Sequence, residues 1–224
     1  IDVSLVGSEM CIRDRVDFDY VSNPEFLREG SAVKDFLWPD RIIIGTTSDR
    51  AYDIMCDIYR PLYINKNPIK YTTVETAEMI KYASNAFLAL KISYINEIAN
   101  LCETVGADIH DVASAMGQDG RISDKFLHPG PGFGGSCFPK DLESLIAISK
   151  EKNIPMETLS AAKKANNNQK AKMGSKLEKL IDASLKDKKI AVLGLSFKAN
   201  TDDVRESSSI AVSYTHLRAH ETNV

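Results

Sequence analysis

Two short apolar runs, residues 41–45 and 188–195, flank a long stretch of the chain with helical spacing. The run 41–45 is short and rich in β-branched isoleucine, which predicts a buried strand of a parallel sheet. A helical pattern follows at 51–59, and Pro61 ends it because proline disfavours helical backbone in the residue before it. We therefore expect residues 16–65 to form the end of an α/β unit.

The middle of the chain predicts one long helix. Residues 72–75, Thr-Thr-Val-Glu, match a capping box that would start it, and Gly106 would end it. Such a helix exceeds about 40 Å, so we expect it to act as a spine between domains or as a contact between subunits. Its apolar positions recur at steps of three or four: Ile80, Ala83, Phe87, Leu90, Tyr94, Ile98, Leu101 and Val105.

Three shorter helices and a second strand are predicted after the long helix. Asp108 would cap a helix that stops at Gly117. Pro139 suits the first turn of the next helix, and a last helix spans 156–181. The apolar run 188–195 then predicts a buried parallel strand, as at the opening of a Rossmann-like domain. The predicted fold class is α/β with an all-helical central domain between two incomplete Rossmann-like domains.

Composition excludes several classes of protein. The 224 residues carry 28 Lys+Arg and 31 Asp+Glu, a net charge of −3, without the basic footprint of a nucleic-acid-binding protein. No apolar run approaches the roughly 20 residues of a membrane span. The cysteines are far apart, which argues against a zinc site or a disulfide scaffold and favours reduced thiols in the cytoplasm. They are Cys11, Cys56, Cys102 and Cys137.

The two ends differ in character from the interior. We interpret residues 1–15 and 213–224 as non-native flanks, similar to translated sequencing-adapter DNA, with native sequence between Val16 and Ala211 or Val212. The alternative is an ordinary pair of polar termini. His216 and His220 have the spacing of a metal pair, but they lie in this suspect tail, and we expect no metal site.

The richest chemical signal is residues 130–141, Gly-Pro-Gly-Phe-Gly-Gly-Ser-Cys-Phe-Pro-Lys-Asp. Gly130, Gly132 and Gly135 satisfy GxGxxG, but no strand is predicted before them, so a dinucleotide fingerprint is not supported. The glycines instead suggest a backbone that approaches a ligand closely.

Cys137 follows these glycines at the start of a predicted helix, with Lys140 one turn inside. Helix N-terminal amides and a nearby cation favour the thiolate, which indicates a nucleophilic cysteine. The alternative is a small buried apolar residue, which is our interpretation of Cys56 and Cys102.

Two pairs of polar residues have helical i, i+4 spacing. Glu25 and Glu29 would share a face if the chain turns helical after Pro24. They would then supply a general base and its orientation, or form only a solvated helix start. Lys81 and Asn85 lie between apolar positions of the long helix, where an ordinary surface lysine is the simpler interpretation.

Five segments of the chain resemble the UDP-glucose/GDP-mannose dehydrogenase family. They read NPEFLREG, AEMIKYASNAF, INEIANLCETVGAD, DGRISDKFLHPGPGFGGSCFPKDL and GLSFKANTDDVRESSSI, and the likeness covers residues 17–211 in order. GFGGSCFPKD, together with YRPLY at 59–63, is most similar to the branch that acts on UDP-glucose. The resemblance implies an enzyme that oxidises the primary alcohol of a nucleotide sugar twice, to a carboxylate, with two NAD⁺ and one water.

The resemblance also implies roles for individual residues. Cys137 would add to the intermediate aldehyde, and Glu25 would serve as acid/base when water attacks the resulting thioester. Lys81 would stabilise negative charge on oxygen, Asn85 would orient a water, and Asp141 would assist proton transfer. Substrate contacts are implied for Asn23, Glu25, Lys81, Asn85, Arg121, His128, Gly130, Gly132, Phe133, Gly134, Phe197 and Lys198. NAD contacts are implied for Glu29, Cys137, Lys140 and Arg205.

The implied domain order is the C-terminal part of an NAD-binding domain at 16–65, a helical dimerisation and catalytic domain at 66–185, and the start of a UDP-sugar domain at 186–212. The family's strand–GxGxxG–helix and most of its UDP-binding domain are not found here, so we expect this chain to be inactive alone. Arg121 would reach the neighbouring site of a homodimer.

Three alternatives remain open at this point. The substrate could be GDP-mannose or UDP-N-acetylmannosamine. The chain could be a ligand-silent helical dimerisation module. A cysteine hydrolase is the third, although His110 lies on a predicted helix and His128 precedes Cys137 by nine residues, so no partner histidine is evident.

Overall fold

The computed structural model describes residues 18–62, 68–181 and 188–213. The chain has two compact units that divide between Ala83 and Ser84. The interpreted flank 1–15, with Cys11, and the part of the second flank that holds His216 and His220 lie outside the described residues.

The first unit contains a two-stranded parallel sheet, formed by β1 (Ile42–Gly45) and β2 (Ile69–Thr72). The isoleucines of β1 are at most 5% exposed, which confirms the predicted buried strand. β2 was not predicted; it has only four residues, Ile-Lys-Tyr-Thr, which is too short for a clear periodic signal. Helices α1 (Ala32–Leu37) and α2 (Asp49–Tyr59) flank β1 in sequence, and a 3-10 turn, Arg60–Leu62, follows α2.

Gly45 at the end of β1 is required for close packing. A Cβ atom at this position would lie 2.5 Å from the Cβ of Ala77 and 2.6 Å from the backbone oxygen of Thr73. Since real Cβ contacts are not this short, only glycine lets β1 lie directly against the start of the next helix.

Helix α3 (Val74–Val105) is the long helix expected from the sequence, with 32 residues and a length of about 48 Å. Its cap differs by one residue from the prediction. The Oγ1 of Thr73, and not of Thr72, accepts the backbone N–H of Thr76 at 3.3 Å, because Thr72 belongs to β2. Gly106 has φ 74°, which confirms that it ends the helix.

The buried face of α3 in the second unit is not the predicted apolar stripe. Apart from Ile95, which is 0% exposed, the buried side chains there are small or polar: Asn85, Ala86, Ala89, Ser93, Asn96, Ala99 and Cys102. Four large side chains of the predicted stripe are instead 48–66% exposed: Phe87, Tyr94, Leu101 and Val105. Small residues let a neighbouring helix approach closely, as where the Ser93 hydroxyl donates to the backbone oxygen of Ala162 at 3.0 Å.

The remaining helices of the second unit match the predicted ones within two residues. They are α4 (Ile109–Gln118), α5 (Cys137–Glu151) and α6 (Glu157–Ile181). Asp108 caps α4 as expected, because its side chain accepts the N–H of His110 at 2.7 Å. Residues 208–213 are also helical.

The predicted buried strand at 188–195 is wrong. This segment has no regular structure, and Leu193 and Leu195 are 93% and 51% exposed. A parallel strand needs a neighbour for its backbone groups, and within the described ranges only β1 and β2 form a sheet. The class, α/β with a helical centre, is nevertheless confirmed. None of the helices in the described ranges has both the length and the apolar character needed to cross a membrane.

Candidate functional site

Lys81 and Glu25 form an ion pair in the first unit. The ammonium of Lys81 donates to Glu25 Oε1 at 2.9 Å and to the Glu25 backbone oxygen at 2.6 Å. It also lies 5.5 Å from the centroid of the Phe26 ring, on which the Arg41 guanidinium packs at 3.9 Å. The Lys81 side chain is only 16% exposed. Lys81 is therefore held in one orientation and is not an ordinary surface lysine.

The segment that carries Glu25 is not helical, so the condition under which Glu25 and Glu29 would share a face is not met. Helix α1 begins only at Ala32, after a turn in which Gly30 has φ 81°. Asp35 accepts the backbone N–H of Arg28 at 2.9 Å and its guanidinium at 2.6 Å. These bonds hold the chain in the turn and keep the pKa of Asp35 well below its usual range.

Asn23 fixes this segment to the sheet and to α2. Its Nδ2 donates to the backbone oxygen of Ile43 at 2.7 Å, and its Oδ1 accepts the hydroxyl of Tyr59 at 2.5 Å. The structure therefore gives the Asn23 side chain, predicted as a substrate contact, an anchoring role within the first unit.

The second unit contains a polar cluster in which the buried Asn85 and Asp141 are joined by the exposed Lys140. Asn85 Nδ2 donates to Asp141 Oδ2 at 2.6 Å, and the Lys140 ammonium donates to Asp141 Oδ1 at 2.6 Å. Asp141 is 1% exposed and Asn85 is 8% exposed. A buried carboxylate is costly unless charged or polar donors satisfy its oxygens, and here each oxygen has one.

Cys137 is the first residue of α5 and is half-buried, with a free thiol. Its Sγ lies 3.7 Å from the hydroxyl of Ser136. Asp141 follows one turn later on the same helix. The cation predicted to accompany the thiol, Lys140, has its ammonium on Asp141. Cys102 is buried as expected, whereas Cys56 is half-buried.

The glycine loop, residues 130–136, leads directly into Cys137. Gly132, Gly134 and Gly135 closely approach other parts of the chain, which the prediction of a ligand contact did not include. A Cβ on Gly134 would lie 2.3 Å from the backbone oxygen of Glu206. Gly135, with φ 79°, donates its N–H to the backbone oxygen of Arg205 at 2.8 Å.

Three buried carboxamides also hold the glycine loop, and sequence reasoning missed all of them. Asn96 accepts the N–H of Gly130 at 2.7 Å, and Gln169 donates to its C=O at 2.8 Å. Asn166 accepts the N–H of Phe133 at 2.7 Å and donates to its C=O at 3.1 Å. Polar residues at core-facing helical positions were the available signal.

The other predicted contact residues of the second unit are mostly exposed. Arg121 is paired with Asp119 at 2.6 Å, which raises the pKa of Arg121 and lowers that of Asp119. Arg205 is paired with Asp203 at 2.8 Å. Exposed positions include His128 and Lys198, whereas Phe133 is buried and Phe197 is half-buried.

The structure thus groups the predicted residues separately within each unit. Asn23, Glu25 and Lys81 come together in the first unit. Asn85, Lys140, Asp141 and Cys137 lie together with the glycine loop in the second. The described part of the chain contains no group of three His, Cys, Asp or Glu side chains placed to hold a metal ion.

Two family profiles match the chain. The NAD binding domain of the UDP-glucose/GDP-mannose dehydrogenase family matches residues 3–63, and its central domain matches residues 75–168. A UDP-glucose 6-dehydrogenase of Rhizobium meliloti is 53% identical over 198 residues, which is 88% of this chain and 45% of that protein. A UDP-glucose 6-dehydrogenase of Bacillus subtilis is 51% identical over 90% of this chain and 45% of its own length.

Solved structures show the same likeness. A UDP-glucose dehydrogenase from Pyrobaculum islandicum superposes with a TM-score of 0.86 at 42% identity, over 91% of this chain and 46% of that one. A UDP-D-ManNAc dehydrogenase from Pyrococcus horikoshii gives 0.78 at 29% identity, over 91% and 47%. The chain spans about half the length of the relatives that it matches.

Proposed function

Because the chain belongs to the UDP-glucose/GDP-mannose dehydrogenase family, we propose that its residues serve the NAD-dependent, four-electron oxidation of UDP-glucose to UDP-glucuronate. The observation that carries this proposal is the free thiol of Cys137 at the first turn of α5, one turn before the buried Asp141. A nucleophile followed by a satisfied carboxylate on one helix suits covalent chemistry at a carbonyl carbon.

The proposed chemistry has two oxidations and one hydrolysis. The first oxidation converts the C6 alcohol of the sugar to an aldehyde. The sulfur of Cys137 then adds to the aldehyde carbon, and the thiohemiacetal again carries a C–H next to oxygen. Loss of hydride from that carbon gives a thioester. Water attacks the thioester, releases the carboxylate and restores the thiol of Cys137.

Four further side chains have proposed roles. The Lys81 ammonium stabilises negative charge on the reacting oxygen. Glu25, which is hydrogen-bonded to Lys81 at 2.9 Å, acts as acid/base in the hydrolysis. Asn85 orients the attacking water, and Asp141 assists proton transfer. The 16% exposure of Lys81 and the 1% exposure of Asp141 support these assignments, since each group is held in one orientation.

NAD, when bound, supplies the hydride acceptor for both oxidations. The residues present fit it: Lys140 and Arg205 have side chains that are 65% and 67% exposed and carry the positive charge that a dinucleotide's phosphates need. We propose that these two residues, together with Glu29 and Cys137, contact NAD. The glycine loop, with His128, and Arg121, Phe197 and Lys198 would line the nucleotide sugar.

We also propose that the enzyme is a cytoplasmic homodimer. Phe87, Tyr94, Leu101 and Val105 share one face of α3 and are 48–66% exposed. Large apolar side chains at this spacing are typical of a helix that packs against a partner. A reduced catalytic thiol is suited to a reducing compartment. Phe87→Glu together with Leu101→Glu should convert a dimer to monomers in light scattering, whereas Lys164→Glu, at an exposed position of α6, should not.

A chimera tests the proposed reaction. Residues 18–212 of this chain replace the aligned segment of the Rhizobium meliloti UDP-glucose 6-dehydrogenase, and NADH formation from UDP-glucose is measured. We expect two NADH per UDP-glucose. Cys137→Ala should abolish the second oxidation, whereas Cys102→Ala should not. Glu25→Gln should slow hydrolysis, so that a thioester on Cys137 accumulates and is seen by mass spectrometry.

The same chimera decides between nucleotide sugars. GDP-mannose and UDP-N-acetylmannosamine are assayed beside UDP-glucose at equal concentration. A higher kcat/KM for either would replace UDP-glucose in the proposal. A folded chimera without turnover of any of the three would refute the dehydrogenase assignment for these residues.

A further inference from the structure

The glycine loop is held by its main chain, through carboxamides from two helices. Asn96 on α3 and Gln169 on α6 bond the N–H and the C=O of Gly130, and Asn166 on α6 bonds both groups of Phe133. We call these three residues the carboxamide clamp. They are 1%, 5% and 3% exposed.

Asn166 reproduces on Phe133 the pair of bonds that a neighbouring strand would make. One carboxamide accepts from the N–H at 2.7 Å and donates to the C=O at 3.1 Å. Among neutral side chains of this length only asparagine carries both groups in one plane. Asparagine inside a helix costs about 0.6 kcal/mol relative to alanine. Its hydrogen bonds to the loop, and not helix propensity, therefore account for Asn166 in α6.

The loop requires such hydrogen bonds because of the residues between Phe133 and Cys137. Gly134 and Gly135 have no side chains that restrict their backbone. The direction in which the chain enters α5 therefore depends on how the preceding loop residues are held. Gly135 is bonded to Arg205 and Gly132 to Ser208. The clamp adds fixed points from α3 and α6 at Gly130 and Phe133.

We propose that Asn166, with Asn96 and Gln169, is a positioning residue that sets the path of the glycine loop and thereby the accessibility of the Cys137 thiol. Its expected effect on turnover rests on the proposed function, but its effect on the thiol does not. Asn166→Asp keeps an acceptor for the N–H of Phe133, loses the donor to the C=O, and places negative charge beside that oxygen.

The first experiment measures alkylation of Cys137 by iodoacetamide in the 224-residue chain, resolved by peptide mass spectrometry. Asn168→Asp makes the same chemical change two residues away at an exposed position of α6 and serves as the matched control. Cys102, which is 6% exposed, reports on global unfolding. The wild type is also alkylated at a urea concentration that lowers its free energy of unfolding to that of Asn166→Asp. This comparison corrects for the stability that the variant loses.

We expect Asn166→Asp to raise the Cys137 alkylation rate about fivefold over the stability-matched wild type, with Cys102 still protected. A rate within about 1.5-fold of the matched wild type would overturn the proposal, because a merely stabilising residue acts only through global unfolding. If Asn166→Asp does not fold, Gln169→Glu, which loses the donor to Gly130, decides by the same criterion.

The second experiment uses the chimera. In the chimera, Asn166→Asp should change the path of the loop and so raise KM for UDP-glucose about tenfold, with a smaller fall in kcat. A reduced kcat at unchanged KM, as from a smaller folded fraction, would count against positioning. An inactive wild-type chimera refutes the proposed function, yet the alkylation rates still decide on the clamp.

Discussion

The hydrogen bond between Asn85 and Asp141 gives the sharpest test of the buried cluster. Asn85→Ala removes the donor that lies 2.6 Å from Asp141 Oδ2, while the carboxylate stays in place at 1% exposure. The oxygen then has no access to water to replace the lost bond. We therefore expect the second unit to lose stability.

The size of the loss follows from two opposing effects. A hydrogen bond to a charged group contributes about 1.5–3 kcal/mol. Alanine gains about 0.6 kcal/mol over asparagine in a helix interior, and position 85 lies inside α3. The expected net loss in the free energy of unfolding is about 1–2 kcal/mol.

Urea unfolding followed by circular dichroism measures this loss. Asn168→Ala, at an exposed position of α6, reports the helix-propensity gain alone and should stabilise the chain by about 0.5 kcal/mol. A double-mutant cycle with Asp141→Ala isolates the pair; because the helix-propensity gain cancels in the cycle, the expected coupling is about 1.5–3 kcal/mol. The reasoning is refuted if Asn85→Ala has the same effect as Asn168→Ala or if the coupling is below about 0.5 kcal/mol.

Three further predictions concern the backbone and an ion pair. The bond from Arg28 lowers the pKa of Asp35 in the folded chain. The pair therefore adds stability above the unfolded pKa near 4, and this stability is lost as the pH falls through the folded pKa. Because Arg28 is 67% exposed, Asp35→Asn should cost below about 1 kcal/mol in urea unfolding at pH 7 and less at pH 3. Gly134→Ala places a Cβ 2.3 Å from the oxygen of Glu206 and should cost more than about 2 kcal/mol; an unchanged urea midpoint would contradict the clash. A Cβ at position 106 meets no atom within 4 Å, but Gly106 has φ 74°, so Gly106→Ala should lower the free energy of unfolding by about 1 kcal/mol. A larger loss for Gly106→Ala than for Gly134→Ala would contradict the view that the clash at position 134 is the more costly of the two.

Helix boundaries were predictable from the sequence because they depend on local chemistry. Asp108 caps α4 through its own side chain, and Gly106 adopts the positive φ that ends α3. Proline at position 139 indicated the first turn of α5, which begins two residues earlier at Cys137. Signals of this kind need only a few neighbouring residues.

The buried face of α3 was not predictable in the same way. The pattern selected large apolar residues such as Phe87 and Tyr94, yet these are exposed and Ser93 and Asn96 are buried. Which face of a helix is buried depends on how closely its neighbours approach, and small residues permit the closest approach. A hydrophobic stripe therefore indicates a surface suited to packing, but it does not indicate whether the packing partner belongs to the same chain or to another.

The candidate residues were predictable one at a time, but their partners were not. Cys137 and Lys140 were expected together from their spacing, whereas the ammonium of Lys140 bonds Asp141. Asn96, Asn166 and Gln169 gave no motif, because they bind backbone groups of residues 33–39 positions away in sequence. Such contacts depend on tertiary structure, which spacing does not encode. Whether the candidate residues perform the proposed chemistry stays a prediction.

The way in which the glycine loop is held has a consequence for how its specificity can change over evolution. The clamp binds only the N–H and C=O groups of the loop, while the side chains of Pro131, in the loop, and of His128, two residues before it, are exposed. If the loop lines a nucleotide sugar, as we propose, a mutation at either position should alter its contacts with the sugar without loosening the attachment of the loop to the clamp. Under the proposed function, the residues that contact the substrate and those that hold the loop are different, so that specificity could change without loss of the fold.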